Sequence, residues 1–127
     1  MSIPYTYSLY DASDKRAVVK EVKGIISYSD NELLFEFKVY NMQGSSTSNL
    51  NKFSIDIDQL KNVRFKKGFF RSNLIIEANK MAFLDPLPGS EQGLIKLKVK
   101  RANKNEAVNF SAKLNLILSK NILDEME

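Results

Sequence analysis

Between about residue 17 and residue 100, apolar and polar side chains alternate with a period of two, and nothing else in this chain limits its fold so sharply. Successive residues of a strand point to opposite faces, so this pattern predicts strands with one face buried. The stretch "KFSIDID" (52–58) shows it plainly: Phe53, Ile55 and Ile57 fall on one side, Ser54, Asp56 and Asp58 on the other. "VVKEVKGIISYS" (18–29) and "ELLFEFKVY" (32–40) flank Asp30-Asn31, two residues that tolerate the dihedrals of a tight turn, and so form a hairpin. Further strands are expected over "KNVRFKK" (61–67), "NLIIEAN" (73–79) and "LIKLKVK" (94–100), and a short one opens "MAFLDPLPGSEQG" (81–93) before Pro-Leu-Pro-Gly stops it. The connections are too short for crossover helices, so the strands must be antiparallel. The polar run "NMQGSSTSNLN" (41–51) reads as a loop.

The period then becomes helical. Asn103 and Glu106 have the spacing of a capping box, and Ala107, Phe110, Leu114 and Ile117 recur at three- and four-residue intervals, with Leu118 and Ile122 widening the stripe. The expected fold is therefore mainly β: about seven antiparallel strands in a partly open barrel, capped by one C-terminal α-helix. At 127 residues the chain is one domain, spanning residues 17–122 with a frayed tail over 123–127. Residues 1–16 form an extended segment, flexible or strand-pairing. In it Tyr5, Tyr7 and Leu9 alternate against Thr6 and Ser8, so residues 3–10 could add to a sheet edge, in this chain or in a second copy to give a homodimer.

What the chain lacks narrows its chemistry. It has no cysteine and no histidine, which removes thiolate nucleophiles and ligands, and also the most frequent general base. No nucleophile-elbow serine and no glycine-rich phosphate loop is present. Asp56 and Asp58 are the only close carboxylate pair on a regular element, fewer oxygens than a metal site needs. Catalysis would have to come from carboxylates and lysines that nothing clusters, so we expect no enzyme, cofactor or metal. There is neither a secretory leader nor a membrane-length apolar run, which predicts a cytoplasmic protein, with peripheral membrane attachment the other location.

Charge is distributed unevenly. Residues 59–104 carry 11 basic and 3 acidic side chains, whereas residues 1–58 carry 6 and 8. Within the basic section, "RFKKGFFR" places Arg64, Lys66, Lys67 and Arg71 around Phe69 and Phe70. Such a tip could press rings into a bilayer interface while its cations meet anionic headgroups, or stack a base beside phosphates. The plainer reading turns Phe65, with Phe69 or Phe70, into the core and leaves the cations as a solvated face. Lys96, Lys98 and Lys100 form a one-sided ladder on the last strand. It discourages edge-to-edge aggregation, and if it lies beside the Arg64–Lys66 strand the two make a continuous basic wall.

The order of seven strands and a closing helix resembles the pleckstrin-homology superfold. The run "FSIDIDQLKNVRFKKGFFRSNLIIE", followed by "PGSEQGLIKLKVKRANKNEAVNFSAKL", is similar to its GRAM-like and bacterial PH-like branch; the likeness covers residues 17–120. It implies a non-enzymatic binding or scaffold module that contacts another protein through a sheet edge or groove. The alternative is low-specificity attachment to anionic membrane through the hairpin at 64–71. Nucleic acid is the disfavoured partner. The superfold's phosphoinositide mode uses basic residues around the first hairpin. Here Lys20 and Lys23 face Asp30, Glu32 and Glu36, with Lys38 the only cation on the second strand, and those carboxylates would repel a polyphosphate.

Overall fold

The computed structural model describes residues 2–11, 13, 14 and 16–126. Its strands are β1 (Ser2–Tyr10), β2 (Val18–Ser29), β3 (Glu32–Asn41), β4 (Asn51–Asp56), β5 (Leu60–Lys66), β6 (Ser72–Ala78) and β7 (Leu94–Val99), followed by helix α1 (Lys104–Met126). All seven strands pair antiparallel in one open sheet of order β4-β3-β2-β1-β7-β6-β5, with β4 and β5 at its unjoined edges.

The inward side chains of each strand build one interior. Val22, Ile26, Leu33, Phe35, Val63, Leu74, Ile76, Leu97 and Val99 are fully buried there. The β2–β3 turn takes the form its residues predict: Asp30 and Asn31 have φ of 53° and 62°, the paired positive values of a two-residue hairpin turn. Gly24 is required by a close approach, since a Cβ there would lie 2.2 Å from the Glu36 carbonyl and 2.8 Å from the Tyr5 hydroxyl.

The N-terminal segment is an inner strand. β1 pairs along its whole length with β2 but meets β7 at one pair only, Thr6 with Lys98. Ile3, Tyr5 and Tyr7 are buried, so the outer half of this segment's alternation is real and its inner half is core. The Tyr7 hydroxyl donates to the Pro88 carbonyl at 2.7 Å, tying β1 to the loop before β7. Tyr5 finds no partner for its buried hydroxyl, and desolvation pushes the pKa of both phenols well above the ordinary tyrosine value.

The structure corrects the sequence reading in several places. Met81–Leu84 forms a turn of 3-10 helix, so the seventh strand is β1. The reason is packing: Leu84 and Leu87 turn inward as a plug, and a strand could not bring both there across Pro86. β4 ends at Asp56 and Asp58 lies in the Ile57–Gln59 turn, so the two carboxylates do not share a strand face. Asn103 and Glu106 do meet, but side chain to side chain, the amide donating to the carboxylate at 3.3 Å. Along α1, Ala107, Phe110, Leu114 and Leu118 are buried and Ile117 is partly so, whereas Ile122 faces water because the last turns run past the sheet.

Helix α1 also closes an edge. Its Asn115 accepts from the Val63 N–H at 3.2 Å and donates back to the Val63 carbonyl. One side-chain amide thus satisfies both groups that Val63 would otherwise present on the edge of β5.

Candidate anionic-surface site

Strands β5 and β6 pair from Leu60–Ala78 to Lys66–Asn73, and the chain between them, residues 67–71, projects as a tip. Both flanking strands are anchored inside by Val63, Leu74 and Ile76. Phe65 packs against that core. Phe69 and Phe70 do not: they are 92% and 82% exposed, the two most exposed large apolar side chains described. Their rings lie edge to face with centroids 4.7 Å apart, so each has the other as its main aromatic contact. The reading that turns one of them inward is therefore corrected. The inward space is already filled by Phe65, and the turn is too short to return a second ring to it.

Lys66, Lys67 and Arg71 flank the pair along the chain and are exposed. Arg64 is drawn aside, since Glu77 holds it at 4.0 Å and Lys61 at 3.5 Å. The helix start brings up cations the sequence reading did not include. Lys104 touches Lys67, and this contact, then the Lys67 charge and partial desolvation, with Arg101 adding repulsion, hold the Lys104 ammonium below the ordinary lysine value. "KVKRANK" already showed this cation density along the chain, but only folding sets Lys104 beside Lys67.

Register decides how the remaining lysines lie. β6 sits between β5 and β7, so the Arg64–Lys66 row and the Lys96–Lys98–Lys100 row are one strand apart, about 10 Å across two strand spacings. Residue pairs link them directly: Lys66 with Asn73, Asn73 with Lys98, Lys98 with Thr6, Thr6 with Lys23, Lys23 with Lys38. Four lysines thus stand in one transverse line over the outer face of the sheet. Lys23 and Lys38 sit directly opposite each other, an arrangement that disfavours the folded state, and the Lys23 ammonium lies over the Tyr40 ring, 5.1 Å from its centroid. Beside this line, a shallow cavity of about 220 Å³ is lined by Lys23, Arg71, Lys98 and Lys100 against the single carboxylate Glu21.

The first hairpin differs. Its turn carries Asp30 and Glu32, with Glu36 further along β3, and Lys20 lies at the far end of the hairpin, opposite Asn41. Of the sequence-predicted residues, Lys66, Lys67, Phe69, Phe70, Arg71, Lys98 and Lys100 come together. Lys96 lies one row further along β7, paired with Ile75. Among the described residues no helix is long and apolar enough to cross a membrane. No family model matches this chain, and no curated protein or solved structure matches it either.

Proposed function

We propose that this chain is a non-catalytic, pleckstrin-homology-like attachment module that seats the 67–71 tip on an anionic membrane surface. One observation carries the reading: two adjacent phenylalanines stand in water at a hairpin tip, flanked in the chain by cations. Leaving two such rings exposed forgoes about 1.5–3 kcal/mol each of burial, a cost that an interfacial partner recovers. Aromatic rings at headgroup depth with lysine and arginine around them are the pairing that anionic bilayers favour. The crowding of Lys67, Arg101 and Lys104 fits the same role, because phosphate or carboxylate headgroups relieve it.

The test is sedimentation with vesicles of phosphatidylcholine, with and without phosphatidylserine. Binding is expected only with the anionic lipid, and to fall steeply with salt. Lys66→Glu with Lys67→Glu should weaken it on the order of a hundredfold or more, at about 1 kcal/mol per charge near the surface. Equal binding by parent and variant would refute the proposal.

A second reading, contact with another protein through a sheet edge, also has support. Asn115 closes β5 at Val63 and Glu91 closes β7 at Leu94, but among the described residues β1 from Ser8 on and β7 at Lys96 have no strand partner on their facing sides.

A further inference from the structure

After Thr6–Lys98 the ladder between β1 and β7 stops, although both strands continue. A continued register would pair Ser8 with Lys96 and Tyr10 with Leu94. Instead the strands diverge around a cavity of about 750 Å³ whose walls include Ser8, Tyr10, Leu94 and Lys96. A bulge explains the divergence. Leu9 pairs with Lys20 and Tyr10 with Val18, so Val19 is the extra residue, 41% exposed and turned to the gap. A bulge bends its own strand, here β2, and increases the local twist. The end of β1, paired with β2, turns away from β7 with it. The loop before β7 then fixes the opening, through the Tyr7–Pro88 bond and the contact of Gly89 with Leu9.

We propose that this gap accepts an extended segment of another protein, with acidic and apolar residues alternating. This deepens the protein-contact reading by naming the edge and its occupant. Into the gap face the backbone groups of Ser8 and Tyr10 on β1 and of Lys96 on β7, whereas Leu94 already exchanges both of its bonds with Glu91. A strand held by the free groups runs antiparallel to one wall and parallel to the other. Side-chain alternation sets the sequence it would take. Inward wall positions are apolar, Tyr7, Leu9 and Ile95, whereas outward ones include Ser8, Lys96 and Lys98, with Lys20 at the bulge. In the gap the cations Lys20, Lys96 and Lys98 outnumber the carboxylates Asp11 and Glu91, and Lys98 also lines the smaller cavity with Lys23, Arg71 and Lys100. An acidic strand therefore meets complementary charge on one side and oil on the other.

The probe is a labelled peptide of alternating Val and Glu, with a Val and Lys peptide as control, followed by anisotropy and by amide exchange. The acidic peptide should bind saturably, and should slow exchange at Ser8, Tyr10 and Lys96. Lys20→Glu with Lys96→Glu should weaken it about tenfold or more, as charge reversal at a complementary interface does. Phe69→Ser with Phe70→Ser should bind as the parent does, separating this site from the membrane tip. Protection along β4 would overturn the assignment of the edge while leaving protein contact standing. Equal binding of both peptides, displacement by phosphatidylserine vesicles, or a second copy of the chain filling the gap in sedimentation would each overturn the proposal.

Discussion

The β2–β3 tip and the β5–β6 tip are both ends of long antiparallel hairpins, yet they treat their exposed groups in opposite ways. At the first, the turn residues are answered from within: the Asn31 carbonyl accepts from the Ile57 N–H at 2.9 Å, and the Tyr28 hydroxyl donates to the Asn31 side chain at 3.2 Å. At the second, two phenylalanines and three cations face water with no carboxylate of the chain bound to Lys66, Lys67 or Arg71 among the described ion pairs. A tip that folds its own groups away contributes to stability. A tip that leaves apolar surface and like charges unanswered is kept for something outside the chain, and the contrast locates function where stability is forgone.

The comparison can be broken by substitution. The largest loss of stability should come from Asn115→Ala, which removes the amide that holds β5 and leaves the N–H and carbonyl of buried Val63 unpaired, at about 1–3 kcal/mol by denaturant unfolding. Asn115→Asp should be no better, because a carboxylate accepts from the N–H but cannot donate to the carbonyl. Next, Asn31→Ala should cost about 1–2 kcal/mol, since alanine tolerates the positive φ poorly, while vesicle binding stays at the parent level. If vesicle binding fell with it, the two tips would not be functionally distinct. Phe69→Ser with Phe70→Ser should reverse that pattern, changing stability by less than about 0.5 kcal/mol and abolishing sedimentation with anionic vesicles.

The smallest effect should come from Lys104→Gln. The folded-state value of Lys104 is lowered, so the folded chain binds its proton less tightly than the unfolded chain, and the crowding opposes folding below that value. Stability should therefore rise slightly as pH climbs through it in the parent, and the variant should show a small gain in Tm at neutral pH with that alkaline rise reduced. Its vesicle binding should weaken at the same time. A variant that lost stability at neutral pH would show that Lys104 is not crowded.

Much of the sheet was legible along the chain. The alternation over 18–29 and 32–40 and the Asp30-Asn31 turn fall where the structure has β2, β3 and their link, because each depends on residues within a few positions. The stripe of Ala107, Phe110, Leu114 and Leu118 was readable for the same reason. β1 was legible as an alternating segment but not as an inner strand, since its second neighbour, β7, lies some ninety residues further on. "MAFL" misled because a short apolar run looks alike as strand or turn, and only the filled space under Leu84 separates the two. At the candidate site, the cations and rings were visible as letters, but their exposure was not.

Periodicity and turn chemistry are short-range, so the chain by itself determined its strands, its first turn, its closing helix and the absence of thiol and imidazole chemistry. Whether Phe69 and Phe70 face oil or water, whether Lys67 meets Lys104, and whether β1 stays zipped to β7 were decided only by tertiary structure. Each depends on which distant surface arrives to fill the neighbouring space, and no local pattern specifies that.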